Sequence, residues 1–179
     1  CAPEHGGTHL DAPVHFAEGT WTNAEIPVNR FIRAAVVIDV REKAAKDPDY
    51  TLSVADVTSF EAKHGKIRPG SAVLLRTGWS KRWPDKRRYL GDDTPGDASN
   101  LHFPSYRLEA AKFLIRKRQV SMIGVDTASI DPGTSQDFPV HRLAAANAVA
   151  GIENLTNLEA LPAVGAIVIA LPMKIAGGS

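Results

Sequence analysis

Four short apolar runs rich in β-branched residues constrain the fold of this 179-residue chain more than any other feature. They cover residues 34–40, 72–77, 120–126 and 166–171. Each run is too short for a buried helix and too continuous for a strand with one face in water, so each predicts a buried strand. Helical patterns lie between the runs, and this alternation is typical of an α/β fold.

Two of the intervening helices are predicted from their capping residues. Ser53 and Asp56 have the spacing of a capping box, which predicts a helix that begins after Ser53 and ends at Gly65. Ser105 follows a proline and is expected to cap a second helix that continues to about residue 117.

Composition excludes several classes of function. Apolar residues make up 44% and charged residues 23% of the chain, and the net charge of +1 provides no basic surface for nucleic acid or an anionic membrane. No apolar run reaches the ~18 residues needed to cross a bilayer. The basic run at residues 81–88 is expected to be solvated, and residues 83–100 to form a surface loop. We therefore expect a cytoplasmic protein that binds neither nucleic acid nor membrane.

The single cysteine, Cys1, excludes an internal disulfide framework and a cysteine-rich zinc module. We expect this thiol to have no role in function. The chain is expected to form one domain over residues 1–179, with its native ends missing.

The segment from His5 to His15 holds three of the six histidines, together with Asp11. In an extended chain, His9, Asp11 and His15 point to the same side, and His9 and Asp11 lie ~6.6 Å apart, close enough to bind one ion. The two glycines after His5 are expected to bend the chain and bring that histidine to the same ion. Imidazole nitrogen with carboxylate oxygen suits Zn²⁺, Mn²⁺ or Fe²⁺.

The motif HGGTHLDAPVHF at residues 5–16 resembles the signature of the metal-dependent cyclase family, whose best-known members are bacterial kynurenine formamidases and whose relatives include isatin hydrolases. Further blocks keep the family's order over nearly the whole chain: LRTGW (75–79), GVDTASID (124–131), DFPVHRL (137–143) and ENLTNL (153–158). The resemblance implies an α/β fold of the swivelling β/β/α type. Its core would be a mixed sheet or barrel-like, flanked by helices, and the chain would assemble as a homodimer or homotetramer.

The resemblance also implies roles for individual residues. The ligands would be His5, His9 and Asp11 for a first ion, and Asp11, as a bridge, with His141 and Glu153 for a second. His15 would be the catalytic acid and base. Formamidase-type members carry Glu at the position of Glu153, which supports two metals, whereas isatin-hydrolase-type members tend to carry Gln and hold one. The expected cofactor is therefore zinc or manganese, with two ions per chain.

The spacing between His141 and Glu153 adds a constraint. Asp137 is predicted to cap a helix that begins near Pro139 and ends by Gly151, and ten helical residues would separate the two ligands by ~15 Å. Only a shorter helix, or a reversal of the chain at Gly151, would bring them together. From the residues alone, Glu153 fits a surface position as well as a ligand, and the resemblance favours the ligand.

Supporting residues are predicted around this centre. Asp126, Ser129 and Asp131 follow a buried strand and could orient the ligand histidines, although ordinary capping and turn roles fit equally well. A flat pocket for an aromatic substrate could be lined by Phe16 and Trp79, because each adjoins a family block. We prefer these two over the other candidates, which are Trp21, Phe103 and Phe138.

The histidine cluster together with the resemblance predicts a metal-dependent hydrolase, and the resemblance implies that it would cleave the amide C–N bond of an aryl formamide such as N-formylkynurenine. Water would be the nucleophile and His15 would transfer the protons. The alternative enzyme is a hydrolase of a cyclic amide of the isatin type, or a cyclase. An alternative of another class is a metal-binding or ligand-binding protein without turnover, which would have no need of a base beside the ligands.

Overall fold

A six-stranded sheet forms the centre of the computed structural model, which describes residues 3–179, so Cys1 lies outside the described residues. The strands are β1 (His9–Asp11), β2 (Ile32–Asp39), β3 (Thr51–Leu52), β4 (Ala72–Arg76), β5 (Ser105–Tyr106), β6 (Met122–Val125), β7 (Ala150–Glu153) and β8 (Val164–Ile169). The sheet order is β1-β7-β6-β4-β2-β8, and β3 pairs separately with β5.

The sheet is mixed. The four central strands β7, β6, β4 and β2 run parallel, whereas the edge strands β1 and β8 are antiparallel to their neighbours. The flanking helices are α1 (Arg41–Ala44), α2 (Val54–His64), α3 (Lys86–Leu90), α4 (Leu108–Lys112), which continues as a π-turn over Phe113–Lys117, and α5 (Pro139–Ala146). The predicted α/β fold with a mixed sheet between helices is confirmed. Within residues 3–179, the helices are too short or too polar to cross a membrane.

Both faces of the central strands are buried, which explains their continuous apolar sequences. Val73 and Ile123 face the core beneath α2, α4 and α5, whereas Leu74 and Met122 face a second core on the opposite side. Successive side chains of a strand alternate between faces, so a strand covered on both sides must be apolar throughout. All four predicted runs form strands, with small differences at their ends. The prediction of burial is wrong for the fourth run, because β8 is an edge strand and its Ile167 and Ile169 are 68% and 63% exposed.

The predicted capping box begins α2. Ser53 Oγ accepts a hydrogen bond from the Asp56 amide at 3.2 Å, and the Asp56 carboxylate accepts one from the Ser53 amide at 2.8 Å. Burial raises the pKa of Asp56, but hydrogen bonds from Lys43, Ser53 and Tyr50 outweigh that effect and lower the pKa to about 2. The helix ends before Gly65, whose φ of 85° lies in the left-handed region.

Ser105 does not cap a helix. It lies in β5, where its hydroxyl donates to the Ser129 carbonyl at 2.7 Å, and α4 begins only after Arg107. Pairing with β3 holds Ser105 in an extended conformation, and an isolated serine cannot reveal such pairing. The expected loop over residues 83–100 also contains α3, which Asp85 caps.

The start of α5 differs from the prediction as well. Asp137 does not cap this helix, and Phe138 occupies the N-cap position with a left-handed backbone. The carboxylate of Asp131 instead accepts the amide hydrogens of Val140 at 2.8 Å and His141 at 2.9 Å. Asp131, eight positions before the first residue of the helix, therefore provides the anion at its N-terminus.

The sequence patterns missed β7 and anticipated β1 only as part of an extended segment, and these two strands carry the site. The helix α5 ends at Ala146, and the chain turns at Ala148, whose φ is 53°, before it returns as β7. The reversal thus precedes Gly151, which lies inside the strand. The extended conformation expected from His9 to His15 holds only as far as Asp11, because a 3₁₀ turn covers Pro13–His15.

We expect the substitution Ser53→Ala to lower the free energy of unfolding by about 1 kcal/mol, because it leaves the Asp56 amide without its side-chain acceptor. Urea denaturation monitored by circular dichroism measures this change. Ser59→Ala makes the same substitution at an exposed position inside α2 and should change stability by less than about 0.5 kcal/mol. Equal effects of the two substitutions would contradict the capping role.

Candidate metal centre

Pairing of β1 with β7 sets the position of the site. The antiparallel register places His9 opposite Glu153 and Asp11 opposite Gly151, so these side chains share one face of the sheet. An ideal Cβ at position 151 would lie 3.2 Å from Ile130 Cδ1 and at an ordinary contact distance of 3.4 Å from Asp11 Oδ2, so the glycine relieves crowding by Ile130. The first turns of α5 bring His141 to the same face.

All five predicted ligands converge around Asp11. Its Oδ1 lies 2.7 Å from His5 Nδ1 and 3.2 Å from His9 Nε2, whereas its Oδ2 lies 3.3 Å from His141 Nε2. Glu153 Oε1 lies 2.9 Å from His141 Nε2, and Glu153 Oε2 lies 3.5 Å from His9 Nε2. Two groups result, His5 with His9 and Asp11, and Asp11 with His141 and Glu153, and within each group the ligand atoms lie within 4.8 Å of one another.

The bend after His5 forms as the glycine pair predicts. Gly7 has a φ of 65°, and its carbonyl lies 2.9 Å from His9 Nδ1. This contact leaves His9 Nε2 facing Asp11. The short loop between the two histidines therefore directs both rings to one carboxylate.

The centre concentrates negative charge in a buried place. Asp11 and Glu153 are each 6% exposed and Asp131 is fully buried. Within residues 3–179, the ion pairs of these carboxylates are made with histidines and none with lysine or arginine. Buried charges require compensation, so the site favours a cation.

The histidines respond to this charge. Burial lowers the pKa of His141, but hydrogen bonds with Asp11, Asp131 and Glu153 outweigh it and raise the pKa to about 11. Burial likewise raises the pKa of Asp11, and hydrogen bonds from His141 and His9 hold it well below its usual range instead. The residues present fit a divalent cation, because nitrogen and carboxylate ligands of this kind suit zinc and manganese.

Asp131 makes the contact predicted for an orienting residue. Its Oδ2 lies 2.7 Å from His141 Nδ1, which leaves Nε2 to face Asp11 and Glu153. Glu153 is oriented in turn, because its Oε1 accepts the amide hydrogen of Ile130 at 2.9 Å. Such contacts fix the ring orientation and the tautomer of a metal-binding histidine.

Asp126 and Ser129 do not contact the ligand histidines. The Asp126 carboxylate accepts hydrogen bonds from the Thr77 amide and hydroxyl and from the Gly78 amide, so it holds the loop after β4. The Ser129 hydroxyl accepts the amide hydrogen of Asp131 at 3.1 Å, so Ser129 contacts the residue that orients His141 and not His141 itself. The three predicted residues thus divide between ligand orientation and loop support.

His15 lies beside the ligands but belongs to neither group. Its ring stacks on His5 with centroids 4.0 Å apart and meets Phe16 edge-on at 4.8 Å. Desolvation and the nearby His5 lower the pKa of His15, which favours the neutral form of its imidazole. A neutral imidazole at the rim of the centre can accept a proton.

The two predicted pocket residues lie in different places. Phe16 is half-buried, and its ring centroid lies 4.5 Å from that of His141. Trp79 is a core residue instead, 2% exposed and packed with Tyr89 and Phe103, and its indole donates to the Tyr89 carbonyl at 2.8 Å. Phe138 is the other aromatic residue at the site, with its ring 5.5 Å from Phe16 and 39% of the residue exposed.

Ser179 is a contact of the site that no motif indicated. Its hydroxyl lies 3.1 Å from His5 Nε2, and its amide donates to Glu4 Oε2 at 2.9 Å. The Asn23 side-chain amide donates to the Ser179 carbonyl at 3.1 Å. A serine 174 positions from its partner carries no local signal, so only the fold reveals this contact.

Comparison with known proteins identifies the family. A family model described as "Putative cyclase" matches residues 1–132, which is more than half of the chain. The chain belongs to the Cyclase family. The resemblance found in the motifs is therefore confirmed.

Relatives of this cyclase-family chain are hydrolases. Isatin hydrolase from Roseibium aggregatum is 37% identical over 98% of this chain and 68% of the relative, and kynurenine formamidase from Salinibacter ruber is 28% identical over 97% and 71%. The crystal structure of an isatin hydrolase bound to the product analogue thioisatinate superimposes with a TM-score of 0.91 at 34% identity, over 99% of this chain and 69% of that one. The chain is accordingly a hydrolase of this family.

We expect Asp131→Asn to weaken the binding of Zn²⁺ or Mn²⁺ about 10- to 100-fold, because the His141 ring loses the carboxylate that orients it. Competition with a chromophoric chelator measures the affinity. The matched control, Asp126→Asn, changes an equally buried aspartate that holds the loop at Thr77. It should reduce thermal stability and leave metal affinity within about twofold. Equal loss of affinity in both variants would contradict these assignments.

Proposed function

We propose that this cyclase-family hydrolase cleaves the amide C–N bond of an aromatic amide, with a water molecule as the nucleophile. The observation that carries the proposal is the convergence of two ligand groups on Asp11, with the imidazole of His15 stacked on His5 beside them. The two oxygens of Asp11 face different groups, which supports two ions per chain, held by the five predicted ligands.

Each residue has a part in this chemistry. A divalent cation held by His5, His9, Asp11, His141 and Glu153 would supply an acidified water molecule and polarise an amide carbonyl. His15 accepts the proton that water loses as the new C–O bond forms, and it returns that proton to the nitrogen as the C–N bond breaks. His5 supports the ring of His15 by stacking, and Asp131 keeps His141 in one orientation.

The alternative without turnover, a metal-binding or ligand-binding protein, leaves His15 unexplained. Its ring belongs to neither ligand group, yet it stacks on the ring of His5 with centroids 4.0 Å apart. A protein that only binds an ion does not need a base beside the ligands. A role in proton transfer would explain why His15 lies at this position.

Two substrates remain candidates, and each rests on its own observation. The 37% identity to an isatin hydrolase and the similarity to the thioisatinate complex favour a cyclic amide of the isatin type. Glu153, within contact distance of both His9 and His141, favours the formamidase type and an aryl formamide. Both reactions add water to a carbonyl that is bound to nitrogen on an aromatic ring.

A small substrate panel tests the proposal. The chain is loaded with Zn²⁺ or Mn²⁺ and assayed with isatin, N-formylkynurenine and formanilide. We expect metal-dependent product formation with at least one aromatic amide and none after treatment with a chelator. Saturating metal with no turnover on any of them would contradict the proposal, and the ratio of kcat/KM between isatin and the formamides decides between the two substrates.

We expect His15→Asn to reduce kcat about 10²- to 10⁴-fold, since proton transfer by a positioned side chain contributes that much. Metal content should stay unchanged, because His15 belongs to neither ligand group. His102→Asn provides the control, since His102 pairs with Asp49 on the surface. Loss of metal together with activity would show that His15 is a ligand, and unchanged kcat would exclude it as the acid and base.

A further inference from the structure

Aromatic rings form a row along the rim of the metal centre. His5 stacks on His15 at 4.0 Å, His15 meets Phe16 at 4.8 Å, and Phe16 meets Phe138 at 5.5 Å between centroids. We call these four residues the aromatic row. Phe138 forms its outer end and also meets His141 edge-on at 5.9 Å. The row therefore connects the predicted acid and base to a solvent-exposed phenyl ring.

The cleft beside the centre is too narrow for an aromatic substrate. It is half-open, is lined in part by Asp11, Phe16, His141 and Gly151, and has a volume of about 10 Å³. That volume is about the space of one water molecule. The ring of an aromatic substrate therefore does not fit this cleft, and the exposed side of the row offers an apolar surface next to His15.

The backbone at Phe138 is unusual. Its φ of 47° and ψ of 51° lie in the left-handed region, which is uncommon for a bulky residue without a local polar partner. Hydrogen bonds enforce this conformation from both sides. The Phe138 amide donates to Ser135 Oγ at 3.2 Å, and Asp131 binds the amides of Val140 and His141.

Glycine or asparagine would adopt this conformation more easily, so the start of α5 does not require phenylalanine. The presence of phenylalanine at this position must then be explained by its ring. It stays 39% exposed and packs against Phe16 and His141, where it adds little to the core. An unfavourable backbone that places an exposed aromatic ring at a candidate active site points to a role in function.

We propose that Phe138 determines specificity by forming, together with Phe16, the surface that binds the aromatic ring of the substrate. This inference rests on the proposed function. Stacking or edge-on contact with the two phenyl rings places the substrate ring outside the centre. The amide carbon then lies towards His15, and the interaction selects aromatic over aliphatic amides.

Three variants at one position test the role. Phe138→Gly removes the ring and fits the left-handed backbone, Phe138→Leu keeps apolar bulk without aromaticity, and Phe138→Tyr keeps the ring. Each metal-loaded variant is assayed with the preferred aromatic amide and with an aliphatic formamide of similar size, N-formylcyclohexylamine. The melting temperature of each variant is measured in parallel.

We expect Phe138→Gly and Phe138→Leu to raise KM for the aromatic amide about 3- to 10-fold, with kcat changed less than twofold. KM for the aliphatic amide should stay the same, and Phe138→Tyr should match the unchanged protein. The melting temperature of Phe138→Gly should be equal or higher, because glycine relieves the backbone.

The outcomes separate this inference from the proposed function. If the unchanged protein turns over no aromatic amide, the proposed function fails. If it does, and KM is unaffected in the Gly and Leu variants or rises equally for both amides, the specificity role of Phe138 is overturned. A lower melting temperature of the Gly variant with unchanged KM would instead assign the ring to packing.

Discussion

The antiparallel pairing of β1 with β7 is the interaction on which the site depends. It joins the first strand of the chain to the edge of the parallel sheet and places Asp11 opposite Gly151. The carboxylate can then lie between the histidines of the N-terminal loop and the pair formed by His141 and Glu153. A shift of this register by one residue would turn each side chain of β1 to the opposite face of the sheet. His9 and Asp11 would then no longer face His141 and Glu153.

The buried negative charge of three carboxylates explains why the site favours a cation. Asp11, Asp131 and Glu153 are buried together, and within the described part of the chain only histidines form ion pairs with them. Such an arrangement is unfavourable unless a proton or a metal ion compensates the carboxylates. Without a metal, the raised pKa of His141 favours a proton on its imidazole, which compensates part of the negative charge. A divalent cation would compensate the same charge, and the nitrogen and carboxylate ligands of this site suit it.

Much of the fold and most of the site could be predicted from sequence, for physical reasons that differ by element. A strand buried on both faces has an uninterrupted apolar sequence, and a capping box has two residues at a fixed spacing, such as Ser53 and Asp56. Both features can therefore be recognised in the sequence. The cap of α5 by Asp131, the contact of Ser179 with His5 and the burial of Trp79 depend on residues that are distant in sequence. Four-residue β7, half of it alanine and glycine, carries no pattern of its own, and only the family resemblance predicted Glu153 as a ligand.

Crystallography with anomalous scattering, on crystals of the chain grown with Mn²⁺, tests the central claim most directly. The account predicts anomalous peaks bonded to both oxygens of Asp11, at about the 2.0–2.2 Å of metal–carboxylate bonds. One peak would also touch His5 and His9, and the other would touch His141 and Glu153. Well-occupied manganese elsewhere in the protein, with no peak at Asp11, would contradict it.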